Sequence, residues 1–430
     1  MTKQKKISLL SMIFLSLNGI LGVGLFLLPG QVAAIVGSWS LVLYGIVALM
    51  VMAIGWCYVQ CARHFSQNGG VYLYATEAFG RFVGFEVGIM RWSVGLISWA
   101  SLTAAFITSL GILFPVLAEP YIKESLIIGV ISCLCCMNIF GAAVIERMSN
   151  LITLLKVVLL VGFVLVGSIA MDVTEIPTLL PLPEVSTFGS AALLIFYAFS
   201  GFEALTIAAN DMENPQRNLP LAIMTAIGAS SLLYFIVQLI CIATLGDDLA
   251  TSHAPIADIA YLMAGDMGKF LVSIAVLISI GGVIVASSFF TPRVVFAMGA
   301  SQQILSGCAK QNRFASPYVA CLISSVIVCL ITLSATFVQL ITISVVCRFV
   351  QHSITCLALF AFERKGIMRP FSHPWKKAIP IFALASIAWL ASHAEGYQLL
   401  CGALALGSGA VLYGVQQYYS TTPHKRGAVE

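Results

Sequence analysis

Among the ionisable residues within or at the edge of apolar runs, six bear on function: Glu86, Arg91, Lys156, Glu203, Arg348 and His352. A charge at the centre of a bilayer costs about 2.5–3.5 kcal/mol on insertion scales, so such residues usually face a cavity and have a role. Lys156, in Leu154-Leu-Lys-Val-Val, has two readings: a protonation switch, or a side chain that snorkels to the interface. It lies seven residues after Ser149, roughly 10 Å along a helix, so either is within reach. Glu203 directly follows Ser200, Gly201 and Phe202. A carboxylate there can couple or gate proton movement, or it can accept hydrogen bonds from orphan amides at a helix start. The two roles are compatible. Arg348 and His352 are one turn apart and share a face, which reads as a structural ion or hydrogen-bond network rather than a substrate contact. Glu86 and Arg91 read as an interfacial cluster.

Other chemistries find little support. Only His352 of the six histidines (His64, His253, His352, His373, His393, His424) is clearly inside an apolar run. An intramembrane enzyme would need clustered His/Asp/Glu or a Ser/His arrangement at depth. Cys133-x-Cys135-Cys136 lacks the paired spacing and histidines of a zinc site. The cysteines read as small core residues. No Gly-x-x-x-x-Gly-Lys-Ser/Thr loop occurs, which argues against direct ATP drive. No metal, cofactor or nucleic acid is called for.

The element that would position these groups is Asn18-Gly-Ile-Leu-Gly-Val-Gly-Leu-Phe-Leu-Leu-Pro-Gly30, inside the apolar run 7–36. Each glycine costs a helix roughly 1 kcal/mol relative to alanine. With Gly19, Gly22 and Gly24 so close together, and Pro29 after them, the run reads as a helix broken at Ile20–Gly24. The alternative is a glycine face for close helix packing. A break at membrane depth is tolerated only against protein or a water-filled cavity. Freed amides attract anions and freed carbonyls attract cations; a zwitterion needs both. Asn18 reads as a hydrogen-bond clamp for the break.

The chain is 60% hydrophobic and 9% charged, against about 25% charged in soluble domains. It reads as an all-α integral membrane protein. Twelve runs serve as spans: 7–36, 39–61, 82–114, 125–143, 150–170, 188–209, 219–245, 268–298, 316–334, 337–362, 379–393 and 396–419. Lys and Arg concentrate in alternate loops and tails, so both termini are expected to be cytoplasmic. The sixth run repeats the oddity of the first, with Ser200, Gly201 and Glu203 in mid-span. Interrupted segments at corresponding places in two inverted halves point to a transporter site at the midplane. The expected units are 7–170, 188–362 and two further helices over 379–419.

Several blocks resemble the amino acid–polyamine–organocation (APC) transporters, particularly bacterial amino acid permeases and basic amino acid/polyamine antiporters. They are Gly22-Val-Gly-Leu-Phe-Leu-Leu-Pro29, Gly69-Gly-Val-Tyr-Leu-Tyr74 with Ala78-Phe-Gly-Arg81, Phe199-Ser-Gly-Phe-Glu203 with Glu213-Asn-Pro-Gln-Arg-Asn-Leu-Pro220, and Pro292-Arg-Val-Val-Phe-Ala297. They run in family order up to Lys365. The resemblance implies a five-plus-five inverted repeat with discontinuous helices 1 and 6.

It also implies a site. The substrate carboxylate would meet the amides of Val23 and Gly24 beside Gly22, and the amino group the carbonyls of Ile20, Tyr197 and Ser200. Phe199 and Phe202 would form an aromatic lid. Gly95, Trp99 and Leu102 would face the pocket from the third span. Ser287 and Ser288 would supply a cation-site hydroxyl or a substrate contact. Lys156 matches the lysine that takes the place of a sodium ion in proton-coupled relatives, as a switch or a fixed surrogate cation. Many relatives carry Ser or Thr where Val23 stands, and Ala300-Ser-Gln-Gln303 replaces a common Arg-Asp-Gly. Trp99 would fill space needed by a long cationic side chain. The resulting expectation is a secondary amino acid transporter of the inner membrane, proton-coupled and for neutral substrates. The alternatives are an exchanger for cationic substrates and a non-transporting sensor. The expected partners are an amino acid, protons and the bilayer, with no partner subunit required.

Overall fold

The computed structural model describes residues 6–22, 24–171, 184–304, 306–334, 337–369, 374–394 and 396, with helical pieces at 406–407, 409–411 and 413–414. Val23 and most of the run 396–419 lie outside the described residues. Among those described, regular structure is helical apart from one isolated bridge between Ile7 and Met212.

The first apolar run is interrupted. Helix α1 (Leu9–Ile20) starts at Ser8, whose side chain accepts the Ser11 amide at 3.3 Å. It ends at Ile20, and α2 (Gly24–Val36) resumes after the glycines. Then come α3 (Ser40–Ala62), the short α4 (Val71–Phe79), α5 (Arg81–Leu113), α6 (Pro120–Ile139) and α7 (Ala142–Ala170). Helix α8 (Val185–Ala198) stops at a second break, and a buried 3-10 helix, Phe202–Asp211, follows it. The rest is α9 (Pro215–Leu245), α10 (Pro255–Ala300, bent at Ala264–Gly265), α11 (Tyr318–Ser334), α12 (Phe337–Arg364) and α13 (Pro374–Ser392).

Helix α7 explains how such a chain packs. Ser149, Thr153, Lys156 and Leu160 recur at helical spacing and are buried, whereas Leu154, Val158, Val161 and Leu165 are exposed. The buried face carries the polar Ser149, Thr153 and Lys156, and the exposed face carries leucines and valines. That is the pattern of a helix whose solvent is lipid. Seven stretches among the described residues are long and apolar enough to cross a membrane.

Inside, α5 lies along α10 and α12, α3 along α9, and α7 along α10. Helix α1 is held among α7, α9 and α10, and α2 packs on α8. At one end the N-terminal segment is strapped to the exit of the second break. Ile7 donates to the Asp211 carbonyl and accepts from the Glu213 amide, each at 3.0 Å. Arg293 of α10 reaches the Asp211 carboxylate there at 2.6 Å.

Candidate functional site

The two helix breaks meet. Gly201 has φ +123°, and a Cβ there would lie 2.6 Å from the Gly19 carbonyl oxygen. Only glycine satisfies both the conformation and the approach. Tyr234 of α9 spans the junction. Its hydroxyl lies 3.0 Å from the carbonyl oxygen of Ile20 and 2.9 Å from that of Ala198, the last residues of α1 and α8. A hydroxyl has one proton to give, so the two carbonyls share it.

A cavity of about 120 Å³ lies against this junction. The first break contributes Gly19, Ile20, Gly22 and Gly24; the second contributes Tyr197, Ala198, Ser200, Gly201, Glu203 and Ala204. Helix α5 presents Arg91, Gly95, Ser98 and Leu102, and α10 presents Val283, Ala286, Ser287, Phe290 and Thr291. Both sets follow helical spacing and form one face each. Arg348 enters from α12.

Nine of the expected site residues thus line the cavity: Ile20, Gly22, Gly24, Gly95, Leu102, Tyr197, Ser200, Glu203 and Ser287. Gly95 also allows close packing, since a Cβ would lie 2.6 Å from Thr291 Oγ1. The Tyr197 carbonyl accepts the Ser200 amide at 3.1 Å.

Four expected residues are placed elsewhere. Trp99 is fully buried and off the lining, because it follows Ser98 by one residue, about 100° round the helix. Ser288 follows Ser287 in the same way; its hydroxyl donates to Val285 O at 2.8 Å and accepts from Asn138 Nδ2 at 3.1 Å. Phe199 packs edge-on to Tyr234 with ring centroids 5.0 Å apart. Phe202 stacks on His352 at 5.8 Å and meets Tyr58 at 5.6 Å. These two rings wedge the second break into the core instead of covering the cavity.

Lys156 is buried and does not snorkel. Its Nζ donates to Leu21 O at 2.7 Å, Asn18 Oδ1 at 2.8 Å and Ser279 O at 3.2 Å. Ser279 Oγ donates to Leu21 O at 2.8 Å, and Asn18 Nδ2 to Ser149 Oγ at 3.2 Å. The ammonium therefore answers the carbonyls freed where α1 stops, beside the cavity and outside its lining. Glu203 also caps a break: its Oε2 accepts the Gly201 amide at 2.9 Å. Its Oε1 pairs with Arg348 at 3.1 Å, and Arg348 donates to Ser98 Oγ at 3.1 Å.

Two sequence readings change here. Arg91 and Glu86 do not form an interfacial pair: Arg91 lines the cavity, and Glu86 lies against Gly409. Arg348 belongs to an ion network, as its pairing with Glu203 shows, but it also reaches the cavity surface. Sequence reasoning missed Ser98 and Tyr234. A tyrosine hydroxyl in mid-span, which needs a partner when buried, was the available signal for Tyr234.

Comparison with known proteins gives one consistent picture. A family model described as amino acid permease matches residues 7–394. An uncharacterized transporter of Mycobacterium tuberculosis is 28% identical, over 84% of this chain and 80% of its own length. The serine/threonine exchanger SteT of Bacillus subtilis is 26% identical, over 89% of each chain. The branched-chain amino acid permease BcaP of Bacillus subtilis is 21% identical, over 90% of this chain and 89% of its own.

Proposed function

The chain belongs to the amino acid permease family, and from that premise we propose a secondary transporter that moves amino acids by alternating access. It is a multi-pass membrane protein, in bacteria of the inner membrane, and a transporter rather than an enzyme. The observation that carries the proposal is the meeting of the two helix breaks over one cavity that both of them line. Midplane sites between discontinuous helices are how many transporters hold substrate while one bundle rocks against the other.

The layout we propose is two five-span halves, 7–170 and 188–362, inverted relative to one another, with 379–419 appended and both termini cytoplasmic. Pairing α5 with α10 and α7 with α12 makes the α5–α12 and α7–α10 contacts equivalent, which supports that arrangement. The substrate carboxylate meets the start of α2 at Gly24. The amino group meets carbonyls at Tyr197 and Ser200. Serine/threonine exchange and branched-chain amino acid transport in relatives support an amino acid as the cargo. Arg91 and Arg348 on the cavity surface weigh against a cationic side chain.

For coupling, we propose that Lys156 acts as a resident cation at the α1 carbonyls, in place of a sodium ion, and that its protonation changes during transport. Exchange of one amino acid for another is the second mode, favoured by the likeness to an exchanger. The test is uptake of a labelled amino acid panel into proteoliposomes, with an inward proton gradient or with preloaded amino acid and no gradient. Accumulation driven by the gradient and lost in Lys156→Ala supports proton symport through that lysine. Uptake only with preloading, unchanged in the variant, makes the protein an exchanger and removes the switch role. Binding without flux would make it a sensor.

A further inference from the structure

We infer that the cavity selects an amino acid whose side chain is itself an anion, a substrate with a second carboxylate; this rests on the amino acid transport proposed above. Among the described lining residues the charged groups are Arg91, Glu203 and Arg348. Two guanidiniums thus face one carboxylate. That carboxylate is already committed at both oxygens, to Arg348 at 3.1 Å and to the Gly201 amide at 2.9 Å.

Arg91 is only 6% exposed. Its Nε, the Nε of Arg348 and the Ser200 hydroxyl are buried without a hydrogen-bond partner among the described residues. A guanidinium stays charged and offers a fork of donors that matches a carboxylate in two-point contact. Arg91 and Arg348 share the single carboxylate of Glu203, so the cavity lining carries one positive charge more than negative, and the unpartnered guanidinium nitrogens match an anion. The α-carboxylate of any amino acid is taken up at the first break in the proposed pose. The anion that answers Arg91 must therefore come from elsewhere on the substrate.

Position agrees. Arg91, Gly95 and Ser98 form one face of α5 and line the cavity together with the two breaks, so the side chain of a substrate held at the breaks is within reach of that face. Arg348 bridges the two regions, since it holds Glu203 and Ser98 together. A lysine or arginine side chain would meet two like charges there.

The test is uptake of labelled aspartate, glutamate, serine, leucine and lysine into proteoliposomes, in chloride and in gluconate buffer. The expected result is uptake of aspartate or glutamate in both buffers, with competition against any neutral uptake. Arg91→Gln should raise KM for the acidic substrate about tenfold or more, the worth of one charge-assisted hydrogen bond. Arg91→Lys should keep part of that affinity. Neutral uptake without competition from either acidic amino acid overturns the inference and leaves the transporter reading standing. So does neutral uptake that requires chloride, because an inorganic anion would then be answering Arg91. No uptake of any amino acid overturns both.

Discussion

Lys156 places its Nζ 2.7 Å from the carbonyl oxygen of Leu21, the residue just past the end of the first helix. The same ammonium holds Asn18 of α1 and Ser279 of α10, so one side chain ties three helices at the interruption. Lys156→Met keeps the length and apolar stem and removes the charge. It should cost about 2–5 kcal/mol, because several buried acceptors lose their donor at once. A fall in the thermal unfolding midpoint of the detergent-solubilised protein would show it; an unchanged midpoint would mean that water takes over those carbonyls at no cost.

Gly201→Ala tests the junction of the breaks. The new Cβ meets the Gly19 carbonyl at 2.6 Å and stands on a backbone with φ +123°. A strained backbone residue of this kind costs about 1–3 kcal/mol, before the clash is counted. Transport should be lost with the protein still inserted in the membrane, measured as uptake per unit of purified protein. Gly228→Ala in α9, where a Cβ meets nothing within 4 Å, is the control that should transport normally.

Glu203 and Arg348 invite a double-mutant cycle. Glu203→Gln alone leaves Arg348 and Arg91 without their carboxylate, and breaking a buried pair from one side costs about 3–5 kcal/mol. The double variant with Arg348→Gln should be more stable than Glu203→Gln alone, with a coupling of about 1–3 kcal/mol. Additive losses in thermal unfolding would mean that the two charges are not coupled.

Trp99→Ala separates packing from recognition. The indole is fully buried and lies off the cavity, so truncation should lower stability by about 3–5 kcal/mol. The order of preference among amino acid substrates should stay the same. A reordered preference in competition uptake would put Trp99 back into substrate selection.

The interruptions were legible because glycine penalties are local: α1 ends at Ile20 and α2 begins at Gly24, where the glycines cluster. The lining faces of α5 and α10 were legible only to within a residue. Spacing fixes which residues share a face, but not which of two neighbouring faces meets the cavity, and Trp99 and Ser288 each fall one residue to the side. Arg91 was read as interfacial because it stands near the start of its run. Helix α5 begins at Arg81, which puts Arg91 about 15 Å along the helix axis, well below the surface. The pairing of Arg348 with Glu203 joins segments 145 residues apart, and nothing in the local pattern announces such a contact.

The hydroxyl of Tyr234 stands between Ile20 and Ala198 with a single proton for both. The two half-helices are rivals for it, and whichever draws nearer takes the bond. A bolt would have to be undone before its parts could shift. A hydroxyl shared in this way can pass from one carbonyl to the other with the same number of hydrogen bonds before and after, so it ties the two breaks together without fixing the distance between them.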